Sequence, residues 1–174
     1  PEGDVKNAQA KFLLDASGFG RTLPRLLDLE YPSDFPVRQA CFTHVKDNIR
    51  DKSFDRNKIL VSIHPTQRDV WYWTIPFANG TCSLGVVGRQ AFFTSYTENL
   101  DERLMQIVNE EPHLEKLLYD SEIIQPARQI TGYSANVKSL HGNGFALLGN
   151  AGEFLDPVFS SGVTIAMKSA SMAA

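Results

Sequence analysis

VWYWTIPFANGTCSLGVV, residues 70–87, is the stretch that decides the fold. Val70 to Phe77 is rich in β-branched and aromatic residues and is predicted to be a strand. Asn79-Gly80 is the strongest short hairpin signal, because a two-residue type I′ turn needs positive φ at both centres. Thr81 to Val87 then returns as an antiparallel strand. Strand alternation puts Trp71, Trp73 and Ile75 on one face, and Tyr72 and Thr74 on the other. Two indoles two residues apart form a flat platform for an aromatic or apolar substrate. The same spacing also suits a plain sheet core. Pro76 belongs at an edge or strand end, since it has no N–H to give a ladder.

Working outward, Lys58 to His64 is a further strand, with Ile59, Val61 and Ile63 alternating against Leu60, Ser62 and His64. Pro65 to Asp69 connects it to the next strand, and the three strands are expected in one sheet with an aromatic face. Ala40 to Val45 also has strand character. Asn99 to Asn109 is predicted to be a helix: Leu100, Leu104, Ile107 and Val108 share a face, and Asn99, Asp101 and Glu102 suit its positive end. Pro112 breaks it, His113 to Tyr119 is helical, and Arg128 to Ser139 is extended.

The flanks read differently. Lys11 to Asp15 is a buried strand running into Asp15-Ala16-Ser17-Gly18, and Gly20 to Tyr31 follows with helical spacing. Gly142-Asn143-Gly144 is a tight turn. Phe145 to Leu148 is another buried strand, which runs into Gly149-Asn150-Ala151-Gly152. The final helix begins at Ser161-Gly162. Both segments thus place small residues after an apolar strand, which lets a ligand approach the backbone. In open α/β sheets ligands sit beyond the carboxyl ends of strands. A helix start adds unpaired N–H groups and about half a positive charge, which suits an anion or a flavin edge. Two ordinary strand-to-helix turns would share this grammar.

Composition excludes other classes. With 43% hydrophobic and 21% charged residues the chain is globular rather than disordered. A net charge of −3 argues against a nucleic-acid surface. No apolar run is long enough to span a membrane, and Pro1 to Asp4 lacks a signal-peptide pattern. Cys41 and Cys82 form no framework or CxxC pair, and read as reduced thiols of a cytoplasmic protein. His44, His64, His113 and His141 have no metal-site spacing, and there is no G-x-S-x-G elbow. Asn79-Gly80-Thr81 reads as a turn rather than a glycosylation site, and Glu110-Glu111 and Asp101-Glu102 as solvated helix faces. With no initiator methionine and an uncapped last helix, the chain reads as a fragment of a longer protein.

Three motifs carry a resemblance. W-x-W-x-I-P at 71–76 resembles the signature of flavin-dependent, tryptophan-halogenase-like enzymes. Asp15-Ala16-Ser17-Gly18-Phe19-Gly20-Arg21 resembles their second FAD-contacting segment. Gly149 to Gly162, with Asp156-Pro157 and Ser160-Ser161-Gly162, resembles their third. The motifs occur in family order across most of the chain.

The resemblance implies an α/β (α+β-like) fragment: an antiparallel substrate-binding sheet plus part of an FAD-binding hydroxylase-type domain. Residues 1–30 would belong to the FAD domain, 31–128 to the substrate-binding sheet and helices, and 129–174 to the FAD domain again. It implies a flavoprotein oxidoreductase of the monooxygenase type, in which reduced FAD, oxygen and chloride or bromide halogenate a small aromatic or carrier-protein-bound substrate, with a separate flavin reductase. Asp15, Ala16, Ser17, Gly18, Gly149, Asn150, Ala151, Gly152, Asp156, Pro157, Gly162 and Val163 would contact FAD. Ser161 and Gly162 would hold halide. Trp71, Trp73, Ile75, Pro76 and Phe159 would face substrate, and the first four would line a barrier that keeps it from the activated flavin.

Departures from the pattern matter. The G-x-G-x-x-G loop is absent, and the family's steering lysine is expected upstream, so no catalytic residue or metal is assigned here; Lys11 and Lys58 read as surface residues. The fragment alone is therefore expected to be inactive. Asn150 stands where the family carries aspartate; an amide still accepts a hydrogen bond. Phe159 replaces the glutamate of tryptophan halogenases, which argues against tryptophan as substrate. The alternatives are a flavin monooxygenase hydroxylating a small aromatic, and a flavin-free binding module.

Overall fold

The computed structural model describes residues 6–174. The reading of Pro1 to Asp4, and the start of the 1–30 segment, lie outside the described residues. The chain opens with β1 (Leu13–Asp15), α1 (Thr22–Leu26) and β2 (Glu30–Tyr31). It continues through β3 (Arg38–Lys46), β4 (Leu60–Ile63), β5 (Trp71–Pro76), β6 (Thr81–Arg89), α2 (Gln90–Phe93), α3 (Leu100–Asn109) and α4 (Pro112–Leu117). It closes with β7 (Glu122–Ile123), β8 (Arg128–Thr131), β9 (Asn136–Val137), β10 (His141–Gly142), β11 (Phe145–Leu147) and α5 (Gly162–Ala173). Two compact units result, one of Pro36–Tyr133, the other of the described residues up to Phe35 with Ser134–Ala174.

The central unit is an antiparallel sheet in the order β4-β5-β6-β3-β7, with β8 also paired to β3. One face is packed under helices. Cys41, Tyr72, Cys82, Leu84 and Val86 from the strands meet Phe93, Leu104, Ile107, Val108 and Leu114 from α2, α3 and α4. Full burial of each of Leu104, Ile107 and Val108 contributes about 1.5–3 kcal/mol. The helix ends are fixed locally. Asn99 caps α3 by accepting from Asp101 N and Glu102 N. Glu111 caps α4 by accepting from His113 N and Leu114 N, with Pro112 in the first turn, where no N–H is needed.

The turn after β5 differs from the expected type I′. Gly80 has φ +79°, but Asn79 is not in the left-handed region. Gly80 N donates to Phe77 O (3.4 Å) and Phe77 N to Thr81 O (2.8 Å), so the loop takes three residues, with glycine alone in the left-handed position. Glu110 and Asp101 are not simply solvated. Glu110 accepts from buried His64 Nε2 and from Tyr96 Oη, both at 2.8 Å. Asp101 Oδ1 accepts from Ala127 N at 2.6 Å.

In the other unit β1 and β11 are parallel neighbours, with Leu13 opposite Phe145 and Asp15 opposite Leu147, and β10 completes the sheet. The helix expected over Gly20 to Tyr31 is only α1. Asp28 has φ +51° and Glu30–Tyr31 turns into β2, which pairs with β9. No helix among the described residues is long and apolar enough to cross a membrane. No group of His, Cys, Asp or Glu among them is placed to hold a metal ion.

Candidate functional site

The two strand-and-small-residue segments meet in one unit. Beyond the carboxyl ends of β1 and β11 lies a cleft of about 490 Å³, lined by Ala16, Gly18, Leu148, Gly149, Asn150, Gly162, Val163, Ala166 and Ala170. Of the residues assigned to the cofactor, the structure thus brings Ala16, Gly18, Gly149, Asn150, Gly162 and Val163 together. Gly18 and Gly149 both have positive φ, +59° and +53°. A Cβ on Gly149 would stand 3.1 Å from Ala166 Cβ, so only glycine lets this loop lie against α5. Gly149 N donates to Ser169 Oγ, a second tie to that helix.

Other assigned residues support the loops. Asp15 is buried and accepts from Ser17 N (2.8 Å) and Leu23 N (2.7 Å), so it holds the turn after β1. Burial pushes its carboxyl up, but hydrogen bonds from Ser17 and Leu23 outweigh this and hold it below the ordinary value. Ala151 and Gly152 are buried and do not line the cleft. Pro157 starts a 3-10 turn, preceded by Asp156. Phe159 ends that turn with 93% of its surface exposed.

Arg21 is the residue that sequence reasoning left without a role. Its side chain is 7% exposed. Nη1 donates to Gly152 O (3.2 Å), Nη2 to Asn136 O (2.9 Å) and Nε to Glu30 Oε1 (3.1 Å). It therefore pins the second glycine loop to β2 and β9. The signal was present as the last residue of the 15–21 motif.

At the start of α5, Ser161 makes no side-chain capping bond. The first backbone N–H groups of the helix, at Gly162 and Val163, are at the cleft, and they are unpaired within any helix of this geometry. Asn150 Oδ1 stands 4.0 Å from where a Cβ on Gly162 would be.

The aromatic face belongs to the central unit. Pairing puts Trp73 opposite Gly85, Gly85 opposite Phe42 and Phe42 opposite Arg128, so these residues share one face. Trp73 lies flat over Gly85, where a Cβ would collide with the indole. Its ring sits 5.9 Å from Trp71 and 6.0 Å from Phe42, and its Nε1 donates to Ser83 Oγ at 3.0 Å. Trp71 is 6% exposed, and its indole N–H has no hydrogen-bond partner among the described residues. Ile75 and Pro76 are half-buried. Tyr72 faces the helices instead and donates to Ile107 O at 3.0 Å, while burial pushes its phenol well above the ordinary value. Sequence reasoning found the two indoles but missed Phe42, Ser83 and Gly85, which only strand register places beside them.

No protein-family model matches the chain. It is 32% identical to the 1H-pyrrole-2-carbonyl-[peptidyl-carrier protein] chlorinase of Pseudomonas fluorescens, over 95% of this chain and 37% of the relative. It is 30% identical to the corresponding brominase of Pseudoalteromonas luteoviolacea, over 92% and 40%. Among solved structures, a flavoprotein/dehydrogenase from Cytophaga hutchinsonii matches with TM-score 0.83 and 42% identity, covering 90% of this chain and 38% of that one. A variant of a flavin-dependent brominase matches with TM-score 0.81 and 28% identity, covering 92% and 41%. The chain spans about two fifths of the length of these relatives.

Proposed function

We propose that this chain, homologous over nearly its whole length to flavin-dependent halogenases, is the part of such an enzyme that carries part of the flavin surface and the aromatic substrate sheet. The observation that carries the reading is the cleft beyond β1 and β11, where two glycine loops and the start of α5 converge. FAD fits these residues: Gly18 and Gly149 remove side chains where a flat ring needs close approach, and Asn150 offers an amide to its chain. When bound, FAD supplies the redox chemistry that turns oxygen and a halide into an electrophilic oxidant.

The chain's own residues have narrower tasks. Gly162 and Val163 N–H, at the positive end of α5, hold chloride or bromide, with Ser161 preceding them. Trp73, Ile75 and Pro76 hold an aromatic ring, free or carrier-bound, with Trp71 buried beside Trp73 and backing it. Asp156 and Pro157 set the path into α5, and Phe159 contributes to the substrate side. The terminal segments form part of the flavin domain, and the central unit is the substrate sheet. A separate reductase delivers the reduced flavin, and the protein works in the cytoplasm with both thiols reduced.

The test uses the full-length protein with reduced flavin, oxygen, bromide and an electron-rich arene, read by mass spectrometry. Bromide-dependent brominated product is expected. A hydroxylated product indifferent to bromide would identify a hydroxylase instead. Failure to bind flavin would leave only a binding module.

A further inference from the structure

The row that crosses the sheet from Trp73 does not end on an apolar residue. Beyond Phe42, on the next strand, stands Arg128. Neighbouring strands lie about 4.8 Å apart, so its guanidinium is within reach of a group attached to a ring resting on Phe42. The other basic residues of this face are committed. Arg89 pairs with Asp69 at 3.0 Å, Lys46 approaches Glu122 at 3.9 Å, and Arg38 donates to Asp69 O. Arg128 is exposed and makes no ion pair among the described residues. The face thus offers a planar aromatic surface ending in one uncommitted planar cation.

We propose that Arg128 anchors an anionic group on the aromatic substrate, so that the site selects aryl carboxylates over neutral arenes. This rests on reading the Trp73–Phe42 face as the substrate platform. A guanidinium suits a carboxylate because its paired N–H groups match both oxygens. The apolar platform fixes the ring, and the cation fixes which end points along the row.

Binding is read by isothermal titration calorimetry, which is independent of tryptophans outside this chain. The full-length protein is titrated with benzoate and with its neutral counterpart benzamide. Benzoate is expected to bind about tenfold more tightly. Arg128→Gln is expected to remove that preference by weakening benzoate far more than benzamide. Arg128→Lys, which keeps the charge without the fork, is expected to keep about a threefold preference. Circular dichroism checks that both variants fold, and the lysine variant decides the matter if the glutamine variant does not. Equal binding of the two probes by the wild type, or a preference that survives Arg128→Gln, overturns the proposal. The readout is binding. Preference for benzoate without any halogenated product would remove the halogenase reading and leave the anchor. Halogenation of a neutral arene with no preference would do the reverse.

Discussion

Replacing Gly85 by alanine adds one methyl group and should displace an entire indole. The backbone at Gly85 is outside the left-handed region, so alanine is conformationally acceptable there. The obstacle is Trp73, whose six-membered ring occupies the place a Cβ needs. Overpacking of this kind costs about 1–3 kcal/mol. If Trp73 swings away, it also gives up its bond to Ser83 and its contact with Phe42. A net hydrogen bond is worth about 1 kcal/mol and an aromatic pair about 0.5–1.5 kcal/mol. Together these put the cost of Gly85→Ala at about 2.5–5.5 kcal/mol. In a Trp73→Ala background the collision is gone, and the same change should be neutral or stabilise by about 0.5 kcal/mol by restricting the unfolded chain. Urea unfolding of the four proteins forms a double-mutant cycle. A coupling of about 2.5–6 kcal/mol is expected. Equal costs of Gly85→Ala in both backgrounds, within about 0.5 kcal/mol, would refute the idea that this glycine exists to seat the indole.

Asp47, 3% exposed, accepts both Arg56 terminal nitrogens at 2.9 Å and the Cys82 thiol at 3.0 Å. Asp47→Asn should cost about 3 kcal/mol, the low end for a broken buried pair, since Arg56 keeps 37% exposure. Burial works to raise the Asp47 pKa, but the bonds from Arg56, Cys82 and Ile49 N outweigh it and leave it depressed. Its contribution is therefore full above the unfolded value of about 3.9 and is lost as pH falls through the lower folded value. The stability gap between wild type and Asp47→Asn should shrink below about pH 4. Burial pushes the Cys41 thiol to about 11, and burial with the Asp47 carboxylate pushes Cys82 to about 12. Both should resist a thiol reagent at neutral pH and react after denaturation; fast native modification of either would contradict their burial. In the full-length protein, Ser161→Asp should raise the halide concentration needed for turnover, because a carboxylate would compete at the α5 start; unchanged halide dependence would remove that site.

The elements legible in the sequence are those whose signals are local. Alternation around Trp71 and the periodicity of Leu104, Ile107 and Val108 survived intact, because the Tyr72 face of the sheet and the apolar face of α3 pack on each other. The kinship of the 12–18 and 145–152 segments was also readable, since parallel strands with small-residue ends share a composition. Gly20 to Tyr31 failed because Asp28 takes a left-handed turn that leucine spacing does not reveal. The contributions of Phe42, Ser83 and Arg128 were invisible for another reason: their neighbours come from other strands, and register is set by pairing rather than by spacing. His64 and Glu110 looked like unrelated polar residues because the packing of α3 on the sheet, not sequence spacing, brings them together.

The pairing of Leu13 with Phe145 also sets an order of events. The whole central unit lies between these two partners, so closing β1 on β11 means closing a very long loop, whose entropic cost has no nearby contacts to offset it. The strands β4, β5 and β6 meet through short connections and make no such demand. During synthesis the central sheet can therefore assemble while β1 still has no partner. Pulse proteolysis during refolding should find Pro36–Tyr133 protected before β1, and simultaneous protection would mean the two units fold as one.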